Sequence, residues 1–196
     1  EQAGRVIAIE KDDRLIPMLQ QKFAVEITSG KLELMHSDIL NFDFSCYKLK
    51  AISYKLIANL PYYITGQFLR KFLESEMQPL AMVLLLQKEV AKRIVASDGR
   101  ESILSISVKA YGKPKYIDTV KAGAFSPPPK VDSAIIAIED ISKEFFKNLV
   151  CHPRESGDPE TKKTDVDSHV RLPAPMLRQA SGNDTEKQFF DLLKKG

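Results

Sequence analysis

Apolar and polar positions alternate in two registers along this chain. Short β-branched runs are separated by stretches in which apolar residues recur every three or four positions. Arg5-Val-Ile-Ala-Ile-Glu10 predicts a strand that ends in an acid. Leu15, Met18, Leu19 and Phe23 then fall on one helical face, with Asp12 or Asp13 placed to cap the helix and Pro17 early enough to be tolerated. Lys31 to Met35 predicts a second strand ending near Asp38, and Tyr54 to Ala58 a third. Thr65 is a candidate cap for a helix carrying Phe68, Leu69 and Phe72. Leu80 to Leu86 is almost continuously apolar, as in a strand buried on both faces. Gln87 to Ala96 predicts a helix with Val90 and Ile94 inward, and Ser102 to Tyr111 another, although a strand is also compatible with its β-branched residues. Tyr116 to Val120 and Ser133 to Glu139 close the series as two strands with no helix between them, which predicts an antiparallel edge pair. Strands alternating with helices give an α/β fold on a mostly parallel sheet.

The pattern stops at about residue 151. From there to about 185 the chain is rich in Pro, Ser, Asp, Thr and charge, and reads as a disordered insertion or long loop. Similar phrases flank it, Lys143-Glu-Phe-Phe-Lys-Asn-Leu149 and Lys187-Gln-Phe-Phe-Asp-Leu-Leu193. Its opening, His152-Pro-Arg-Glu-Ser-Gly-Asp-Pro159, resembles peptides encoded by mobile bacterial repeat elements. Three parts are therefore expected: a partial α/β domain over 1–150, the insertion over 151–185, and the start of a truncated helical region over 186–196.

Composition narrows this little. A hydrophobic share of 43% in 196 residues is ordinary for a globular protein. The net charge of +3 is compatible with nucleic acid binding without arguing for it, and Lys88, Lys92, Arg93 and Arg100 cluster near the middle. Cys46 and Cys151 stand far apart, which fits a reducing compartment and gives no zinc spacing; His152 and His169 lie in the insertion, so no metal site is expected. No apolar run approaches the roughly 18 residues of a membrane span. With no basic-then-apolar leader, a cytoplasmic location and no membrane partner are expected.

The chemistry lies where strands end, since ligands of open α/β sheets bind beyond the carboxyl ends of the strands. Glu10, Asp38 and Asn59 fall there. An acid at such a position suits the two hydroxyls of a ribose, and a second acid one strand later suits an adenine amine. Strand-end acids are also common helix caps. Asn59-Leu60-Pro61-Tyr62 sharpens the choice, because Pro61 donates no N–H and fixes its own φ. Such a turn sets an amide, backbone carbonyls and a ring around one point, as needed to hold a planar, amine-bearing base. Tyr63 reads as a core residue. Phe125 begins Phe-Ser-Pro-Pro-Pro-Lys-Val, which offers either an aromatic face or a rigid polyproline turn. Lys88, Lys92 and Arg93 read as a solvated helix face, with phosphate contact as the alternative.

Five stretches together resemble the small-subunit ribosomal RNA adenine N6-dimethyltransferases. They are Val6 to Glu10, Asp38 with Ile39, Asn59-Leu-Pro-Tyr-Tyr-Ile64, Leu86 to Arg93, and Phe125-Ser-Pro-Pro-Pro-Lys-Val-Asp-Ser133. Their order and separation match over about residues 1 to 140 and resume at Glu186. The resemblance implies a Rossmann-like class I methyltransferase sheet, with an antiparallel edge strand, and S-adenosyl-L-methionine as methyl donor. Glu10 would hold the ribose of the donor and Asp38 its adenine, beside the Ile39 backbone. Asn59, next to both donor and base, would accept a hydrogen bond from the target N6 amine together with the Leu60 or Pro61 carbonyl. Tyr62 and Phe125 would stack on the base. The implied activity is dimethylation of two adjacent adenosines near the 3′ end of small-subunit rRNA, in an immature subunit, by a monomer.

Three departures accompany the resemblance. The chain starts at Glu1, after the place of the family's first strand and Gly-rich loop, and ends where the family continues into a helical domain, so it reads as a fragment. Arg100 to Ser105 also differs from the family's Tyr-Gly-x-Leu-Ser phrase. The alternatives are a large-subunit adenine methylase of the erythromycin-resistance type, a non-catalytic RNA-binding or assembly factor, and a decayed fragment of this fold.

Overall fold

The structure, a computed structural model, describes residues 4–44, 47 and 54–150. The expected insertion over 151–185 and the helical start over 186–196 lie outside these residues. The chain divides into two compact units, 1–51 and 52–196.

In the first unit, β1 (Val6–Glu10) and β2 (Leu32–His36) pair in parallel, with Val6 opposite Leu32 and Glu10 opposite His36. The link between them is helical, but it is two helices: α1 (Ile16–Lys22) and α2 (Ala24–Thr28), broken at Phe23 with φ −112° and ψ 28°. Neither Asp12 nor Asp13 caps α1, whose N-cap is Leu15 and has no side-chain hydrogen bond. Asp12 is drawn away because its Oδ1 accepts from the Arg14 N–H at 3.0 Å and from Arg14 Nε at 2.8 Å. Pro17 sits in the first turn of α1, where a missing N–H leaves no carbonyl unpaired.

The second unit contains a four-stranded sheet in the order β3 (Lys55–Asn59), β4 (Ala81–Gln87), β6 (Ser133–Glu139), β5 (Lys113–Val120). β3 and β4 are parallel, and β6 runs antiparallel to both β4 and β5. The expected antiparallel pair thus forms, but the reversed strand, β6, stands one place in from the edge, and β5 is outermost. The remaining helices are α3 (Thr65–Leu73), α4 (Lys88–Val95), α5 (Ile103–Lys109) and α6 (Glu144–Val150).

The core of this unit follows from the two periodicities. Met82, Leu84 and Leu86 on β4 and Ala134, Ile136 and Ile138 on β6 are sealed from solvent. α4 and α5 pack against the sheet and contribute Ala91, Ile94 and Val108. α3 buries Phe68, Leu69, Phe72 and Leu73, with the two phenyl rings 4.7 Å apart. Each such side chain contributes about 1.5–3 kcal/mol relative to exposure. β4 is not buried on both faces: Val83 is exposed, as is Ile57 opposite it on β3, so the continuous apolar run hides an alternating strand. Val90 is half-buried, and Ala91 takes the inward place beside Ile94. The segment from Ser102 forms a helix because Ser102 and Ser105 cap each other reciprocally. Here the Arg100–Ser105 departure encodes a helix start, steadied by Ser105 Oγ donating to Glu101 Oε2 at 2.7 Å.

Gly112, between α5 and β5, is required by space: a Cβ there would meet the Glu139 carbonyl oxygen at 2.8 Å. Among the described residues, no helix is long and apolar enough to cross a membrane.

Candidate active site

The first unit brings Glu10 and Asp38 to the same end of its strands. Glu10 is the last residue of β1, and its backbone carbonyl accepts from the Ser37 N–H at 2.9 Å, one residue before Asp38. The Glu10 side chain is already half committed. Its Oε1 accepts from the N–H groups of Lys11 and Asp12, each at 2.8 Å, which fixes the carboxylate plane and leaves Oε2 without a hydrogen bond among the described residues. Glu10 is therefore not a helix cap: the two N–H groups it accepts belong to the loop before α1, whose N-cap is Leu15. Asp38 is more fully engaged. Its Oδ1 accepts from the Leu40 N–H at 2.9 Å, across the turn that carries Ile39, and its Oδ2 accepts from Lys11 Nζ at 2.7 Å. Lys11 was not among the residues expected in the site; the signal for it was a cation directly after a strand-end acid.

The second unit supplies the turn at the end of β3. Asn59 is the last residue of the strand and is exposed, and its side chain has no hydrogen-bond partner among the described residues. Leu60 anchors the turn, with its side chain 5% exposed and its N–H donating to the Leu85 carbonyl at 3.3 Å. Pro61, at φ −55° and ψ 132°, then leads into a 3-10 turn over Tyr62–Ile64. The Pro61 carbonyl is occupied by the Ile64 N–H at 3.1 Å, and the Tyr62 carbonyl accepts from Thr65 Oγ1 at 3.1 Å. Thr65 is consequently inside α3 and not its cap. Of the two carbonyls expected as acceptors, only that of Leu60 lacks a hydrogen bond among the described residues.

Successive residues of a 3-10 turn point about 120° apart. Tyr62 accordingly turns inward and is half-buried, whereas Tyr63 faces solvent at 82% exposure and is not a core residue. The Tyr62 hydroxyl lies 3.0 Å from Ser133 Oγ, at the start of β6.

Phe125 follows β5 after a 3-10 turn over Ala122–Ala124 and is half-buried; the Ser126–Pro127 peptide is cis. This loop is fastened to the rest of the unit through Asp132. Its Oδ1 accepts from the Ala122 N–H at 3.1 Å, and its Oδ2 lies 3.3 Å from Lys121 Nζ and 3.6 Å from Lys88 Nζ. The Asp132 carbonyl accepts from the Lys88 N–H at 3.0 Å, where β4 passes into α4. The Ala122 N–H first, and the two lysines after it, hold the Asp132 carboxyl below the usual carboxylate range. Lys88 is thus partly structural, while Lys92 and Arg93 are exposed on α4. Neither Asp132 nor Ser133 was singled out from sequence, although both lie within the Phe125–Ser133 phrase.

Chemically, the second unit offers two acceptors without a hydrogen bond among the described residues, the Asn59 amide oxygen and the Leu60 carbonyl, next in sequence to a ring held at its hydroxyl. The first offers an acidic oxygen on a rigid turn. These are acceptors, the complement of the N–H groups of an exocyclic amine on a planar base and of the hydroxyls of a ribose diol.

A family model described as ribosomal RNA adenine dimethylase matches residues 1–151. Ribosomal RNA small subunit methyltransferase A of Dehalococcoides mccartyi strain CBDB1 is 49% identical over 156 residues, covering 75% of this chain and 53% of that protein. A solved dimethyladenosine transferase from Plasmodium falciparum superposes with a TM-score of 0.61 at 29% identity, covering 73% of this chain and 50% of that one. The 23S rRNA methyltransferase ErmE superposes at 0.63 with 22% identity, covering 75% and 60%, a likeness of fold. The chain spans about half the length of the curated relatives it matches.

Proposed function

The chain belongs to the ribosomal RNA adenine dimethylase family, and on that premise we propose that it carries the methyl-acceptor turn and part of the donor site of an rRNA adenine-N6 dimethyltransferase. The substrate is small-subunit rRNA in an immature particle, at two adjacent adenosines near its 3′ end, and the protein acts as a monomer in the cytoplasm. The observation that carries this reading is that the Asn59 side chain and the Leu60 carbonyl have no hydrogen-bond partner among the described residues, while the Pro61 and Tyr62 carbonyls of the same turn are engaged.

An adenine amine is conjugated with its ring and is a poor nucleophile. The Asn59 amide oxygen and the Leu60 carbonyl accept hydrogen bonds from its two N–H groups and draw them out of the ring plane, which returns lone-pair character to the nitrogen; once alkylated, the nitrogen gives up one of these protons to water. The residues thus act by positioning and by electrostatics, with no covalent intermediate on the protein. The base leaves its stack to reach the turn. Tyr62 and Phe125 compensate with ring faces, each worth about 1–3 kcal/mol. S-adenosyl-L-methionine, when bound, supplies an electrophilic methyl group. Glu10 fits its ribose through the open Oε2, and Asp38 fits its adenine once Lys11 yields Oδ2. The Ile39 backbone lies beside that contact.

The test is transfer of labelled methyl groups from the donor to immature small-subunit particles, followed by nucleoside analysis of the digested RNA. N6,N6-dimethyladenosine is expected. In a parallel reaction with large-subunit rRNA, label there and none on the small-subunit particles would instead favour the erythromycin-resistance type of activity, and label on no adenosine in either would overturn the reading.

A further inference from the structure

We propose that Ser133 is a positioning residue for the reaction, and that it acts by holding the Tyr62 ring at the angle the target base needs. This rests on the reading of Tyr62 as a face for that base. The two side chains are 71 positions apart in sequence, yet the hydroxyls lie 3.0 Å from each other. Ser133 is well suited to anchor a ring. It is 2% exposed, and its backbone is paired with Gln87 on β4 and with Val120 on β5, so the sheet holds it from both sides. The preceding residue, Asp132, is itself tied to the β4–α4 junction and to the loop that carries Phe125.

Tyr62 has the complementary need. It sits on a short 3-10 turn and is half-buried, with its polar tip inward. Without its hydroxyl contact the ring would be free to turn about two side-chain bonds, and each base would have to order it on binding. A buried hydroxyl is costly to leave unpaired, so serine at this position carries a demand for a partner. The Tyr62 hydroxyl meets that demand. The hydrogen bond thus gives stacking a preset plane, and it explains why tyrosine stands here when phenylalanine has nearly the same face.

The test is steady-state methyl transfer by Tyr62→Phe, Ser133→Ala, the double variant, Ser133→Thr and Tyr62→Ala, with thermal unfolding of each. Tyr62→Phe and Ser133→Ala each lower kcat about tenfold while KM for RNA stays within about twofold, because a misaligned base binds but reacts slowly. The double variant is no slower than either single one, since both remove the same bond. Ser133→Thr, which keeps the hydroxyl, restores most of the rate. Single losses that multiply in the double variant would overturn the proposal. So would wild-type kcat in Tyr62→Phe and Ser133→Ala when Tyr62→Ala is inactive. Wild-type turnover in Tyr62→Ala would instead overturn the stacking role on which the proposal rests.

Discussion

Lys11 Nζ lies 2.7 Å from Asp38 Oδ2 and joins the loops that follow β1 and β2. The pair is formed by the carboxylate oxygen left for the proposed adenine contact, so Lys11 and the donor compete for it. Exposed pairs of this kind contribute about 0–1 kcal/mol. Lys11→Met is therefore expected to tighten S-adenosyl-L-methionine binding by up to about fivefold, most at low salt. Calorimetric titration checks this; weaker binding in the variant would mean that Lys11 helps hold the donor.

Asn59→Ala removes one open acceptor at an exposed position. Turnover is expected to fall about 10²–10³-fold, the loss typical of a preorganised hydrogen-bonding group at a reacting centre. Stability should stay within about 0.5 kcal/mol of the parent. Methyl-transfer rates and urea unfolding on the same preparations separate the two effects, and unchanged turnover would remove Asn59 from the chemistry.

Burial pushes the Tyr54 hydroxyl up to about 12 from 10.0, and it donates to the Met77 carbonyl at 2.6 Å. A raised folded-state value means that the neutral form is favoured by folding. The contribution is therefore complete below about pH 10 and is lost as pH climbs from about 10 toward 12. Unfolding midpoints measured across that window should fall, and less steeply in Tyr54→Phe. An identical alkaline slope in the variant would assign the loss to other groups.

Gly112→Ala should cost about 1–3 kcal/mol, because the new methyl meets the Glu139 carbonyl oxygen at 2.8 Å and that backbone lies in the β5–β6 pairing. Denaturant titration measures it. A neutral result would show that the end of β6 yields easily.

The sequence pattern locates the strands and most helices because each is a run long enough for its period to be seen. Val6–Glu10, Ala81–Gln87 and Ser133–Glu139 are cases in point. What it misplaces is decided by competition among near neighbours. Asp12 fails to cap α1 because Arg14 takes its carboxylate, and Thr65 fails to cap α3 because its hydroxyl turns back to Tyr62. Tyr63 looks apolar enough for the core, but its position on a three-residue turn sends it outward. In the candidate site, Glu10, Asp38, Asn59 and Phe125 are legible from their place at strand ends or in a proline-rich phrase. Lys11, Asp132 and Ser133 are not, since their importance lies in partners distant along the chain. The Pro61 carbonyl, expected as an equal alternative to that of Leu60, is taken by a hydrogen bond that only the folded turn makes.

β6 enters the sheet where β3 and β4 leave it, because it runs against them. An ordinary parallel sheet furnishes a binding edge only from the segments that exit its strands, and each exit is committed to a helical crossover. Here the loop that carries Phe125 is the entry to a strand, residues 121–132, a hairpin connection whose two stems, Val120 and Ser133, are already paired. Such a connection can lengthen, shorten or change its aromatic residue without rethreading any helix. The Phe125 loop can thus vary without disturbing the Asn59 turn, which follows β3 on the far side of β4.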